Sequence, residues 1–304
     1  MAIAVHIIPS AQIDKTKWDD CINKSPNGLV YATSAFLDTM ATHWDALVTD
    51  NYDYVMPLPW RRKALLHYVY PPAFIQQLGV FSANEISASH VTSFIKAIPP
   101  KYRYCELRFN YANALPEGNI TRHKNYLLHL QPGYKVLHNN YSRSAKRNIT
   151  KAASCGITIK DNVAPAEIIA IHRARFNDAI GASADDYHNF NRLCSLLYKA
   201  GMCITAGAFN NQNSLIAGSI YFVYKSRLTF ILNGNTRESL TCGATHLLKD
   251  YIIQTFAGSD YILDFEGSDF EKFARFYEQF GATAAEYYTT LVINRLPFLI
   301  RFLK

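Results

Sequence analysis

Apolar positions gather in short runs along this chain, and the spacing inside each run distinguishes strand from helix. LIAGSIYFVY (Leu215 to Tyr224) and RLTFILNG (Arg227 to Gly234) are rich in β-branched and aromatic residues and meet across Lys225 and Ser226. That pattern predicts a β-hairpin. A polar loop of small residues, Asn235 to Thr245, leads into a helix at HLLKDYIIQTF. YILDFEGSD (Tyr261 to Asp269) then reads as a strand and EKFARFYEQFGA as a helix. Upstream, Ser142 to Ser154 has helical spacing and stops at Gly156. Ile157 to Asp161 is a predicted strand, Ala166 to Ile180 and Tyr187 to Ala200 are predicted helices, and MCITAGAFN is a predicted strand.

The first half repeats this style. It predicts a strand at Val5 to Ile8, a helix at Asp14 to Asn23 and a second helix carrying FLDTMATHW. Strands follow at ALVTD, YDYVMPLPWRR and LLHYVYPPAF, then a helix near Glu85 to Ala97 and strands at YRYCELRFN and NYLLHL. The tail YYTTLVINRLPFLIRFLK reads as a strand, a break at Pro297 and a short basic amphipathic end. Strands interleaved with helices and hairpins indicate a mixed α/β class, with mostly antiparallel sheets flanked by helices. QPGY (Gln131 to Tyr134) punctuates the chain. It divides the chain into residues 1–133 and 134–304, two domains with a similar order of elements.

Composition narrows the class. Hydrophobic content of 49% and charged content of 18% describe a globular chain with real cores. No apolar run approaches the ~20 residues of a membrane span. The start MAIAVHIIPSA lacks a signal-peptide pattern, and the six cysteines show no CxxC pair. These features predict a cytoplasmic protein with free, buried thiols. The net charge of +7 is concentrated: between Gly118 and Lys160 lie eight Lys or Arg and no acid. A local basic field favours an anionic partner.

Four stretches carry candidate chemistry. DFEGSD places Asp264, Glu266 and Asp269 at a strand end, and period 2 puts the first two on one face. Glu266 is the candidate general base, whereas Ser268 or Asp269 is suited to capping the next helix. Arg143, Arg147 and Lys151 stand at i, i+4 and i+8, a basic stripe suited to a diphosphate, an RNA backbone or a solvated face. YPPAFIQQLG offers Tyr70, Gln76 and Gln77 to an acceptor groove, or forms a strand end with turn prolines. The tail LPFLIRFLK either touches a membrane surface or packs on its own domain. The histidines have no metal spacing, and no metal is expected. Neither a G-x-S-x-G motif nor a Cys-His pair marks a covalent nucleophile.

Taken together, SRSAKRNITKAASCGITI, NGNTRESLTCGATHLLKDYII and DFEGSDFEKFARFYEQFGA in the second half, with YVYPPAFIQQLGVF in the first, resemble the GNAT acyltransferases. The chain as a whole resembles a Fem-type or GNAT-like tandem protein. The resemblance implies two GNAT-like folds and transfer of an acyl group from acyl-CoA to a small or peptide-like amine held between the domains. It assigns donor binding to Asn233, Asn235, Arg237, Gly243, Ala244 and Thr245, with a phosphate on the loop and helix start. It gives Tyr277, in FYEQFGA, the role of protonating the leaving group, while Phe273, Phe276, Tyr277 and Phe280 also form an apolar helical stripe that suits a core. Of the usual Q/R-x-x-G-x-G/A pattern only Gly243 and Ala244 match, and Arg237 stands too far upstream. Fem-type members use aminoacyl-tRNA on a cell-wall precursor, which makes charged tRNA the alternative donor. A third reading is a non-catalytic module that binds an anionic ligand.

Overall fold

A computed structural model describes residues 3–267 and 269–297. The chain forms two compact units, Met1–His123 with Glu286–Lys304, and Lys124–Ala285. The sequence places the division after residue 133 and gives the tail to the second domain. In the structure the division falls inside two strands, β7 (Ile120–His129) and β13 (Thr283–Asn294). The cause is strand pairing. Thr289 to Asn294 of β13 run antiparallel to Phe109 to Tyr104 of β6 (Tyr102–Phe109). Beyond the strand, the Arg295 guanidinium donates to the carbonyls of Pro99 (3.0 Å) and Ile98 (3.3 Å).

In the first unit the strand order is β1 (His6–Pro9), β2 (His43–Val48), β3 (Tyr54–Lys63), β4 (Leu66–Val69), β6, β13. Among its described strands β4 and β6 pair in parallel and the other neighbours in this order antiparallel. β5 (Phe81–Ser82) pairs with the start of β3. LLHYVYPPAF yields just four strand residues, because Pro71 and Pro72 have no N–H for a ladder. The helix carrying FLDTM stops at Met40, and His43 and Trp44 open β2, where the Trp44 indole donates to Asp38 at 3.0 Å. Among the described residues its α-helices are α1 (Lys15–Lys24), α2 (Ser34–Met40) and α3 (Ala88–Ala97). Val91 and Phe94 of α3 join Leu47, Met56, Leu58, Val69 and Tyr102 in one core.

In the second unit the order is β7, β12 (Ile262–Asp264), β11 (Arg227–Asn235), β10 (Leu215–Tyr224), β9 (Cys203–Phe209), β8 (Thr158–Asp161). The expected hairpin is β10 and β11. Only β11 and β12 pair in parallel. The helices are α4 (Tyr134–Asn139), α5 (Arg143–Ser154), α6 (Pro165–Ile180), α7 (Ala184–Lys199), α8 (Arg237–Cys242), α9 (Ala244–Phe256) and α10 (Glu271–Glu278). α6 lies so close on β10 and β11 that a Cβ on Gly218 would come within 2.6 Å of Ile168 Cγ1, and one on Gly234 within 2.6 Å of the Ile168 carbonyl. By the alternation of β10, Tyr221 faces the side opposite Gly218, and there it meets α9. Leu248, Ile252 and Ile253 of α9 pack into a core with Ala145 and Ala152 of α5 and Phe265, Tyr277 and Phe280.

Candidate functional site

Two departures from regular pairing coincide on β11. Its parallel pairing with β12 ends at Thr229 opposite Asp264, although β11 runs on to Asn235. Phe265, next after β12, instead donates its N–H to the Tyr126 carbonyl at 3.1 Å. On its other edge β11 changes register between Ile220 opposite Leu232 and Tyr221 opposite Phe230, so Ile231 is the extra residue of a bulge. The two strands therefore fork at Phe230 and Phe265, beside a locally twisted segment. Backbone N–H groups on that edge of β11 have no strand partner among the described residues.

Lys249 of α9 lies over this fork. It is 2% exposed, and Nζ sits 3.2 Å from the centre of the Phe230 ring and 5.3 Å from that of Phe265. Nζ donates to Tyr221 Oη at 2.6 Å. Burial alone holds this amine well below its ordinary pKa. Lys249 carries no motif that singles it out in the sequence. A signal in spacing was present, because residues 248, 249, 252 and 253 fall on one helical face and Lys249 is the polar member of it.

Tyr277 of α10 completes the cluster. Its ring stacks on Phe265 at 4.5 Å and meets Phe230 edge-on at 6.5 Å. Burial, then the charges of Glu266 and Asp264, push its hydroxyl pKa upward. Glu266 follows Phe265 in the chain, and Phe265 stacks on Tyr277. The strand ends at Asp264, however, and Glu266 stands in the left-handed region at φ 50°, so the two carboxylates do not share a strand face. Asp264, fully buried, is engaged structurally: it pairs with Arg227 (2.5 Å) and accepts from Asn125 (2.6 Å) and from the Glu266 N–H (3.1 Å). Glu266 is 5% exposed. Asp269 does not cap α10, whose N-cap position is Phe270; its carboxylate accepts from the Lys124 N–H at 3.2 Å. Ser268 lies outside the described residues.

The expected donor loop is largely helix α8, capped by Thr236 Oγ1 accepting from the Ser239 N–H at 3.2 Å. Arg237 is exposed in its first turn. Gly243, at φ 83°, turns the chain between α8 and α9. A Cβ there would overlap the Asn148 carbonyl oxygen of α5, so this glycine permits a close contact between the α8–α9 turn and α5. Ala244 is fully buried. Asn233 accepts from Ser219 Oγ through Oδ1 at 3.4 Å, and its carbonyl contacts His172 Nδ1 at 2.7 Å. Asn235 Oδ1 and Thr245 Oγ1 are buried without a hydrogen-bond partner. Arg143, Arg147 and Lys151 are all exposed along α5, whose Asn148 touches Gly243. His246, its pKa lowered by burial, links α5 to α10 through Asn148 (3.3 Å) and Gln279 (3.4 Å).

In the first unit Tyr70 and Gln77 line one cleft with Pro59, Ile75, Glu106 and Arg108, of about 330 Å³ including its open mouth. Gln77 is 1% exposed and its Oε1 has no hydrogen-bond partner. Gln76, half-buried, is not part of the lining. Arg61 lies 4.3 Å over the Tyr70 ring. Five of the six cysteines are buried, and Cys155 is exposed, contrary to expectation. Among the described residues no helix is long and apolar enough to cross a membrane. The tail beyond Pro297 lies outside the described residues.

No protein-family model and no curated protein matches the sequence. Solved structures do match the fold. FemX superposes with a TM-score of 0.68 at 10% identity, over 98% of this chain and 99% of that one. A tandem GNAT protein from the clavulanic acid biosynthesis pathway gives 0.58 at 11% identity, over 97% and 99%. The C-terminal domain of a lysylphosphatidylglycerol synthetase from Agrobacterium fabrum gives 0.58 at 11%, over 96% and 94%. The chain therefore has the tandem GNAT-like, Fem-type fold that its segments resemble.

Proposed function

We propose that this chain is an N-acyltransferase, moving an acyl group from a phosphate-bearing carrier to an amine. The convergence of Glu266, Tyr277 and Lys249 where β11 and β12 part carries this reading. Acyl transfer to an amine needs an acceptor for the amine's proton, N–H donors for the developing oxyanion, and a proton for the leaving group. Glu266 is assigned the first role and Tyr277 the last. The N–H groups on the open edge of β11 are assigned the second. Tyr70 and Gln77, which line the cleft of the first unit, are proposed as substrate-binding residues in their own right.

Acyl-CoA is the first donor considered, with its phosphates against Arg143, Arg147 and Lys151 and its polar groups on Asn235 Oδ1 and Thr245 Oγ1. Cytoplasmic substrates of this kind match the reading. One observation favours a second donor, aminoacyl-tRNA: Asn148 occupies the space beside Gly243, while a long exposed basic face runs along α5. Such a face suits a polyanion better than a compact diphosphate.

Thermal unfolding separates the two. A midpoint that rises with acetyl-CoA concentration, and no longer does so in Arg143→Glu/Arg147→Glu/Lys151→Glu, supports the thioester donor. No shift at millimolar acetyl-CoA, with binding of an alanylated RNA minihelix that weakens steeply with salt, supports the RNA donor. The triple variant should then lower the salt slope by about three. Failure of both donors to bind removes the transferase reading.

A further inference from the structure

Two buried polar atoms at the cleft of the first unit lack a partner, and they are of opposite kinds. Gln77 is 1% exposed, and its Oε1, an acceptor, receives no hydrogen bond. The Nε–H of Arg108, a donor, gives none. A buried donor or acceptor left unpaired carries its full desolvation cost, so two at one cleft call for an explanation. The backbone fixes their placement. The Leu78 N–H donates to the Arg108 carbonyl at 2.8 Å, and the Leu78 carbonyl accepts from the Asn110 N–H at 2.9 Å. Leu78 thus bridges to Phe109 in parallel, and the residues before them, Gln77 and Arg108, take the other face of that ladder. Glu106, two residues earlier on β6, shares the face of Arg108, while Cys105, Leu107 and Phe109 enter the core.

The cleft also holds both signs of charge. Arg108 Nη2 donates to Glu106 Oε1 at 3.4 Å, a long contact between two half-buried side chains. It leaves the Arg108 Nε–H unused. Arg61, over the Tyr70 ring, adds a second cation beside the lining. Met56, Val69 and Ile75, each 2% exposed or less, supply an apolar wall. A ligand that completes this cleft must bring an N–H for Gln77 Oε1 and an acceptor for Arg108. A cation alone would face Arg108 and Arg61, and an anion alone would face Glu106. A molecule carrying both charges a few bonds apart meets each with its opposite. About 330 Å³, including the open mouth, is the low end of small-molecule sites.

We propose that this cleft binds a free α-amino acid as its zwitterion. The ammonium donates to Gln77 Oε1 and to the Glu106 carboxylate, the carboxylate accepts from Arg108, and the side chain lies on the apolar wall. This names the ligand class for the substrate assignment of Tyr70 and Gln77 made above, and it rests on that assignment. It involves no step at Glu266 or Tyr277.

The test is calorimetric titration of the full chain with a panel of common L-amino acids. At least one should bind saturably. Its N-acetyl and carboxamide derivatives, each lacking one charge, should bind about tenfold more weakly or worse. Gln77→Leu should lose that binding yet melt no lower than the wild type, since it removes an unpaired buried acceptor. Arg108→Lys keeps the charge but not the Nε–H, and should weaken binding by about tenfold. Absence of binding by every amino acid at tens of millimolar overturns the proposal. So does equal binding of the blocked derivatives, or unchanged binding by Gln77→Leu. The transferase reading is scored separately, with acetyl-CoA and alanylated minihelix RNA as donors and glycinamide as the amine. Amino-acid binding with no transfer from either donor removes that reading and leaves the cleft as a zwitterion site. Transfer with no amino acid bound removes this proposal alone.

Discussion

Lys249 and Glu266 show how far single residues here depart from what their chemistry alone prefers. Glu266 holds a left-handed backbone angle and is nearly buried, and such conformations gather at functional sites, where surrounding structure compels them. Lys249 has a consequence for stability that needs no substrate. Its amine is neutral in the folded state well below pH 10.5, whereas the unfolded chain keeps that proton up to about pH 10.5. Between those two values the unfolded state binds more protons, so stability rises with pH, by at most about 1.4 kcal/mol per pH unit. Below that window burial of the amine is a standing cost. Lys249→Met should therefore melt higher than the wild type at pH 7, and the gap should close as pH climbs toward 10.5. Urea unfolding at a series of pH values checks this, and equal slopes for the two proteins would contradict it.

At the scale of elements, the turn between α8 and α9 is decided by contact with α5. Gly243 is needed both for its angle of φ 83° and for the space that Asn148 occupies. Gly243→Ala should cost about 2–4 kcal/mol, measured by denaturant unfolding, since strain and a backbone clash act together. Elements of this kind divide sharply in how legible they are. The hairpin of β10 and β11 and the helices α5, α6, α7 and α9 announce themselves through their own periodicity. α8 does not: ESLTC has no apolar stripe, and its helix depends on the Thr236 cap and on packing of Ser239 and Cys242. YILDFEGSD reads as a long strand but keeps only three strand residues, because Phe265 turns to pair with Tyr126 once β11 diverges. The fork that gathers the site is therefore invisible in spacing. Glu266 and Tyr277 were readable as candidates, whereas Lys249 was masked by a helix whose other positions look like plain core.

For the whole molecule the discontinuity of the first unit is the governing fact. Its sheet contains β13, some 170 residues after β6 in the chain by the numbering of the two strands. The mid-chain punctuation at QPGY marks a real turn between β7 and α4 but not the boundary, because strand pairing over long sequence separation leaves no local trace. A chain ending at Ala282 should keep a cooperative transition from the second unit, whose residues Lys124–Ala285 are continuous and hold their own core. It should lose that of the first, in which β6 keeps β4 but loses β13. Calorimetry of the truncated and full chains distinguishes this from a loss shared by both units.

That arrangement also sets a schedule on the ribosome. Domains emerging from the exit tunnel generally fold in the order in which they are made. Here the earliest residues cannot finish their sheet until the strand at Thr283–Asn294 has been synthesised. At the ~5–20 residues per second of translation, the nascent first unit waits on the order of ten seconds or more with an incomplete sheet. The later half closes first, and an exposed edge at β6 is the interval's risk for mispairing with a neighbouring nascent chain.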